Sequence, residues 1–342
     1  MSMTEVWIAA RTLALGALGA GIAWALGFPA PYLTGPAVAV TLSGLFGIQT
    51  AVPLLLRSVV FVIIGLSMGQ SVTPEVLEAI GHWPLTLAAL GASLFAIILF
   101  TRLMLVRQWG MDPTTALLSS SPGHLSYVLG LTEGVKADLK TVSIVQSIRV
   151  LCLTLIVPVV VTLMGPLPVL SGLPPAETAL LPLLACIALA GAAGYGLDRL
   201  KLPAAYLIGG LVVSAILHVT GTVAGVVPAP LTLSAFVCMG CLIGTRFSGV
   251  TRAELARATG AGLAVTLLAV VLATVFAVIA SYATGLELTS VLIAFAPGGV
   301  ETMAAMSVLL GVDPTFVATH HVARLLMLTF IVPFFVLRRK QA

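Results

Sequence analysis

The chain has 342 residues, of which 59% are hydrophobic and 8% are charged, and its formal net charge is +4. About a quarter of the residues of a soluble globular protein are charged, so this composition excludes that class. Apolar runs of about 20 residues, the length that crosses a bilayer core of roughly 30 Å, recur along the chain. The predicted fold class is an all-α polytopic membrane protein.

In chain order, each half of the sequence contains five candidate spans and one apolar segment interrupted by a Pro-Gly pair. The first-half spans lie near 10–27, 31–48, 51–70, 83–105 and 141–164, with the broken segment at 113–134. The second-half spans lie near 178–197, 204–221, 231–246, 259–283 and 315–337, with the broken segment at 288–311. We therefore predict about ten spans, in a first repeat (1–170), a linker (171–178) and a second repeat (179–342).

The two halves align around the broken segments after a shift of 175 positions, without a gap. The shift matches the Pro-Gly tip, an Asp, an Arg within a span and a later Pro: Pro122, Gly123, Asp138, Arg149 and Pro158 match Pro297, Gly298, Asp313, Arg324 and Pro333. Chance agreement between Leu-, Ala- and Val-rich segments does not explain these shared polar and Pro-Gly positions. We interpret the chain as an internal duplication.

The Lys and Arg residues predict the topology. If both broken segments cross the membrane, these cations divide almost evenly between its two faces; if both are re-entrant hairpins, all thirteen loop cations lie on one face. The positive-inside rule favours the second arrangement, with both termini cytoplasmic. Five spans per repeat make the second repeat inverted, so the two tips would meet near the midplane, as in secondary transporters.

Arg149 and Arg324 are the strongest candidate functional residues. Each lies 11 residues beyond an Asp that we predict as a helix N-cap, Asp138 or Asp313. That spacing is about 16 Å along a helix, near the middle of the hydrocarbon. An Arg at this depth is a functional candidate by default. The alternative is a structural brace that donates hydrogen bonds to carbonyls freed at a Pro-Gly break, and the two roles are compatible.

The other candidates include residues near the two Pro-Gly tips and several predicted structural residues. Glu301 could pair with an Arg or titrate, and His321 could relay protons or donate a hydrogen bond. Asp112, like Asp138 and Asp313, is predicted as an N-cap, and Cys238 and Cys241 as packing residues. Hydroxyls, broken-helix amides and two Arg suit a small polar or anionic solute. The predicted solute-binding set is Ser121, Pro122, Gly123, His124, Ser126, Arg149, Pro297, Gly298, Gly299, Glu301, Thr302, His321 and Arg324.

The tip motifs carry a resemblance to a known family. The stretches 121–127 and 296–303, with the segment from Arg324 to Pro333, resemble the bacterial membrane AbrB family, which is built from two duplicated units. The likeness extends over about 10–337, although the first tip reads Pro-Gly-His where the second reads Pro-Gly-Gly. The resemblance implies a multi-pass protein of a bacterial inner membrane. It also implies a regulator of gene expression or, by another family label, an ammonia monooxygenase.

The residues themselves favour neither label. A DNA-binding regulator needs a soluble basic module, and the segments between spans are too short for one. A copper or iron monooxygenase needs a cluster of His and carboxylate ligands, which five scattered His do not provide. We expect no enzyme activity, metal or cofactor.

Two functions stay open: a secondary transporter or channel, and a membrane sensor with an indirect effect on gene expression. The expected partners are the lipid bilayer and a small solute, with a homodimer left open and no direct nucleic-acid binding.

Overall fold

The computed structural model describes residues 3–72, 83–122, 137–164, 176–202 and 204–337, without the side chains of 329, 330, 333, 334, 336 and 337. These residues form thirteen α-helices, and the all-α prediction is confirmed for them. In the described ranges, strand-like backbone pairing is limited to one isolated bridge between Glu177 and Val226.

The helices follow one another with short connections. Their bounds are α1 (Met3–Ala25), α2 (Pro31–Leu45), α3 (Leu54–Gly69), α4 (Trp83–Trp109), α5 (Pro113–Ser120), α6 (Leu139–Met164), α7 (Leu180–Arg199), α8 (Ala205–Val219), α9 (Ala229–Gly244), α10 (Arg252–Thr284), α11 (Leu288–Phe295), α12 (Val300–Leu309) and α13 (Pro314–Leu337).

Within the part of the chain that the structure describes, six segments are long and apolar enough to cross a membrane: α1, α4, α6, α7, α9 with the short turn that follows it, and α10. The chain is therefore a multi-pass membrane protein by its apolar helices. Helices α2, α3 and α8 have 15 or 16 residues, or about 22–24 Å, which is less than the hydrocarbon thickness. The figure of ten spans stays a prediction.

The three predicted N-caps are confirmed. The carboxylate of Asp112 accepts hydrogen bonds from the backbone N–H groups two and three residues later, at 3.0 Å each. Asp138 does the same at 3.1 Å, and Asp313 accepts from the N–H two residues later at 2.9 Å. The hydroxyl and backbone N–H of Thr141 hold the pKa of Asp138 below its usual value of 3.8. These caps satisfy N–H groups that the first helical turn leaves unpaired.

The described helices fall into two compact units. The first unit comprises 1–80, 154–249 and 304–315, and the second comprises 81–153, 250–303 and 316–342. Each unit combines helices from both halves of the sequence. The proposed repeat boundaries at 170 and 179 rest on the sequence alone and stay a prediction.

The first unit is built on close helix packing through glycine. Helix α3 packs against α8, and α9 packs against α2. A Cβ at Gly65 would overlap the carbonyl oxygen of Leu207, and a Cβ at Gly240 would overlap that of Leu33. Gly65 and Gly240 are 175 positions apart and Leu33 and Leu207 are 174 apart, so the same backbone contact occurs twice. Small residues at these positions let the helix backbones approach closely in lipid.

The second unit contains both predicted helix breaks. Helix α4 packs against α5 and α10, and α10 packs against α11. The first part of α6 joins them, where Ile148 lies against Gly262 of α10. This unit thus brings together the interrupted elements and the helices that carry Arg149 and Arg324.

The four cysteines are free thiols within helices. Cys186, Cys238 and Cys241 are buried, and the Sγ of Cys241 packs where a side chain at Gly16 would otherwise lie. Their role as packing residues agrees with this arrangement.

Candidate functional site

The second helix break lies between α11 and α12. Helix α11 ends at Phe295, α12 begins at Val300, and the four residues between them are not helical. The break includes Pro297, which has no N–H to continue the helical ladder. With 8 and 10 residues, the two helices are about 12 and 15 Å long, so neither crosses a bilayer alone.

Arg324 holds this break together. Its side chain is 1% exposed, and it donates hydrogen bonds from Nη1 to the carbonyl oxygen of Ala296 at 2.6 Å and from Nη2 to that of Gly298. His321, one turn earlier on α13, donates from Nε2 to the carbonyl oxygen of Ile293 at 3.0 Å. The carbonyl oxygens of Ile293 and Ala296 also accept backbone hydrogen bonds, from the N–H of Ala296 at 3.3 Å and from that of Gly298 at 2.7 Å. The two side chains therefore add a second donor to each of these carbonyls at the end of α11. A cation beside a helix C-terminus also complements its dipole.

The first break is held in the same way. Arg149, 1% exposed, donates from Nη2 to the carbonyl oxygen of Ser121 at 3.1 Å. Gln146 donates from Nε2 to the carbonyl oxygen of Leu118 at 3.0 Å. All four residues have their counterparts 175 positions later, in Arg324, Ala296, His321 and Ile293. Residues 175 positions apart therefore make equivalent hydrogen bonds.

Gln146 is a site residue that the sequence prediction missed. We expect Gln146→Leu to destabilise the protein by about 1–2 kcal/mol, because it leaves the Leu118 carbonyl oxygen buried without a donor. Thermal unfolding of the purified protein in detergent would measure the loss. Gln146→His is the matched control, since an imidazole makes the equivalent bond at His321 and should retain most of the stability. Equal stability of Gln146→Leu and the parent would show that this bond contributes nothing.

Three charged groups lie close together around the breaks. Glu301, in the first turn of α12, is 4% exposed, and its carboxylate interacts electrostatically with the guanidinium of Arg324. The guanidinium of Arg149 lies within electrostatic range of Arg324 as well. Thr302 is buried beside Glu301. The second unit thus concentrates two buried cations and one buried carboxylate, an arrangement typical of intramembrane functional sites.

His320 is a packing residue. Its ring lies 4.0 Å from the ring centroid of Phe316 and 6.0 Å from that of Trp83. Its Nδ1 lies 2.9 Å from the backbone carbonyl oxygen of Phe316, and its Nε2 lies 2.7 Å from Oγ1 of Thr86. A neutral ring with its proton on Nδ1 satisfies both contacts. The four-residue spacing of Phe316 and His320, which places them on one helix face, was the available sequence signal.

Buried hydroxyls without a hydrogen-bond partner in the described ranges lie near the first break. They belong to Ser119 and Ser120, at the end of α5, and to Ser147 on α6. The neighbouring Ser121 instead donates from Oγ to the carbonyl oxygen of Leu117 at 2.9 Å. A buried hydroxyl that does not bond to its own helix can donate to a bound molecule.

The remaining predicted residues are only partly described. Pro122, Pro297 and Gly298 are buried at the two breaks, and a Cβ at Gly298 would come within 2.9 Å of the Met303 side chain. Gly299 follows Gly298 before α12 begins. Gly123, His124 and Ser126 lie outside the described residues, so their place in the site stays a prediction.

Comparison with known proteins identifies the family of the chain. The family model "Transition state regulatory protein AbrB" matches residues 32–339, nearly the whole chain. The chain belongs to the AbrB family. The resemblance carried by the two tip motifs is therefore confirmed, and the paired breaks described above lie in an AbrB-family protein.

Two relatives of this AbrB-family chain show how far the likeness extends. "Uncharacterized protein YhjN" of Bacillus subtilis (strain 168) is 32% identical over 298 residues, which cover 79% of this chain and 75% of the relative. "Putative regulator AbrB" of Escherichia coli (strain K12) is 29% identical over 128 residues, 37% of this chain and 36% of the relative.

Proposed function

We propose that this AbrB-family protein is a secondary transporter or channel for a small polar or anionic solute. The observation that carries the proposal is the pair of equivalent helix breaks, each held by a buried Arg on a neighbouring helix. Interrupted helices in repeated units are a recurrent plan of secondary transporters. Non-helical backbone at membrane depth is tolerated where it is buried in protein or lines a water-filled cavity.

The proposed topology has ten spans and two re-entrant hairpins, one in each of two inverted repeats. The short helices on each side of Pro297 support a hairpin, because neither reaches across the bilayer. The repeated contacts of Gly65 and Gly240 support the duplication. The predicted distribution of loop cations favours cytoplasmic termini. In this arrangement the first hairpin opens from the cytoplasm and the second from the opposite side.

The chemistry of the breaks supports an anionic or polar solute. Among the described residues of the second unit, two guanidinium groups and one carboxylate are buried, so the buried charges sum to a net positive charge. The hydroxyls of Ser119, Ser120 and Ser147 add hydrogen-bond donors. A planar guanidinium binds carboxylates and phosphates through two parallel hydrogen bonds.

A membrane sensor is the second candidate. The family's description names a regulatory protein, and one relative is named as a regulator. In that case the same breaks would bind a ligand without moving it, and the cationic segment 246–258, which includes the start of α10, would contact a cytoplasmic partner. Any effect on gene expression would then be indirect.

Single-cysteine accessibility tests the transport proposal. In a background without the four native cysteines, Ser121→Cys should react with a membrane-impermeant thiol reagent from the cytoplasm, and Thr302→Cys from the opposite side. Ala269→Cys, fully buried on α10, is the unreactive control. Uptake of radiolabelled carboxylates and inorganic anions into proteoliposomes would follow. Two tips unreachable from either side would overturn the proposal, and ligand binding without uptake would favour the sensor.

A further inference from the structure

We propose that Nδ1 of His321 is a proton-binding site, and that the protein moves a proton together with its anionic solute. This inference rests on the proposed transport function and adds the coupling ion to it. It is carried by the hydrogen bonds of His321, by its burial and by the residue at the equivalent position of the other half.

The ring of His321 has one bonded and one unbonded nitrogen. Its Nε2 donates to the carbonyl oxygen of Ile293, so Nε2 carries a proton and Nδ1 holds a lone pair in the neutral ring. His321 is 0% exposed, and its Nδ1 has no hydrogen-bond partner among the residues that the structure describes. A buried acceptor without a donor costs free energy, which a proton or a donor arriving at that nitrogen would recover.

The equivalent contact in the first half of the chain shows that a side chain other than an imidazole can donate to such a carbonyl oxygen. Gln146, 175 positions earlier, makes the equivalent hydrogen bond to Leu118 at the same distance of 3.0 Å. An amide N–H donates a hydrogen bond to the carbonyl oxygen as an imidazole N–H does, but the amide does not gain and lose a proton as an imidazole can. The feature that His321 adds to the second break is therefore a nitrogen able to take up a proton.

The charges around His321 explain how proton and solute binding would be linked. Helix α11 contributes the Ile293 carbonyl and has no titratable side chain. Helix α13 itself contributes His320 and Arg324, and Arg324 in turn interacts with Glu301 of α12 and with Arg149 of α6. A proton on Nδ1 would place a second positive charge near the guanidinium of Arg324. An anion bound at Arg324 would offset that charge, so anion and proton would each increase the affinity for the other.

The proton step is a simple transfer. A hydronium ion in the open cavity gives its proton to Nδ1: one O–H bond breaks, a water molecule is left, and the ring becomes an imidazolium that still donates from Nε2. Release on the other side breaks the same N–H bond and returns the neutral ring. Because linkage is reciprocal, acid pH should favour the conformation in which water reaches the second break.

The test measures the labelling rate of Thr302→Cys between pH 5.5 and 8, with and without His321→Gln, in the full-length protein in proteoliposomes. The ratio of the two rates removes the pH dependence of the thiol itself. We expect the ratio to rise as pH falls, by up to about tenfold per pH unit, the limit for one linked proton. His218→Gln, which removes a histidine in the first unit, should leave the pH dependence unchanged.

A reciprocal variant keeps the test decisive if His321→Gln proves too unstable to purify. The labelling rate of Ser121→Cys with Gln146→His, divided by its rate with Gln146 retained, should rise as pH falls. A pH-independent ratio at a second break that remains reachable would overturn the proton site and leave the transporter proposal intact. Failure of both tips to react from either side would instead overturn the transport proposal itself.

Discussion

Arg324→Ala is expected to destabilise the protein by about 3–5 kcal/mol and to abolish solute binding. The substitution removes both hydrogen bonds to the carbonyls of Ala296 and Gly298. It also takes a cation away from the buried carboxylate of Glu301. Loss of one partner leaves buried polar and charged groups uncompensated, which costs more than the pair itself contributes. Thermal unfolding in detergent and equilibrium binding of a labelled carboxylate would measure the two effects.

Two further variants, Arg324→Lys and Arg149→Ala, test the geometry of the Arg324 bonds and the equivalent bond in the first half. Lysine keeps the charge but cannot present the planar fork that reaches two carbonyls, so we expect a stability between those of the parent and Arg324→Ala. Arg149→Ala tests the equivalent bond to Ser121 in the first half. If both alanine variants folded normally and bound solute as the parent does, the anion preference would have to be abandoned and the two Arg would be braces only.

The second large effect is expected in the first unit, where Gly65→Ala and Gly240→Ala should each cost about 2–3 kcal/mol or more. In both cases the new methyl group would overlap a backbone carbonyl oxygen, of Leu207 or of Leu33, which cannot rotate away as a side chain can. Overpacking of this kind forces helices apart and typically costs 1–3 kcal/mol, with larger values where backbone must move. Thermal unfolding would give the values, and we expect the two variants to be similar because their contacts are equivalent.

Gly21→Ala is the matched control for these variants. Gly21 lies in α1 with open space where its Cβ would be, so alanine should be neutral or slightly stabilising there. If Gly65→Ala proved as harmless as Gly21→Ala, the close α3–α8 approach would not be a source of stability.

Much of the local structure was predictable from the sequence. The caps at Asp112, Asp138 and Asp313 followed from Asp-Pro spacing and from the start of an apolar run. The interruption at Pro297 followed from the inability of proline to continue a helix. These features depend on neighbours in the chain, which a sequence displays directly.

Tertiary partners were harder to predict. Gly65 and Gly69 are four residues apart, a spacing typical of close helix contacts, but the spacing does not identify α8 as the helix in contact. Gln146 was overlooked because an isolated amide in an apolar run has no distinctive pattern, although the 175-residue shift places it opposite His321. The aromatic surroundings of His320 depend on Trp83, more than 200 residues away in the chain, and no local period reveals such a contact.

The mixed composition of the two compact units has a consequence for biogenesis. Helix α3 packs against α8, and about 140 residues separate them in the chain. At about 5–20 residues per second, ribosomes need roughly 10–30 s to make that stretch, so α3 enters the bilayer long before its partner exists. During synthesis, the first half would therefore lie in the membrane while the face of α3 that carries Gly65 has not yet packed against α8. The insertion machinery, or a chaperone of apolar helices, would have to shield that face until the second half arrives.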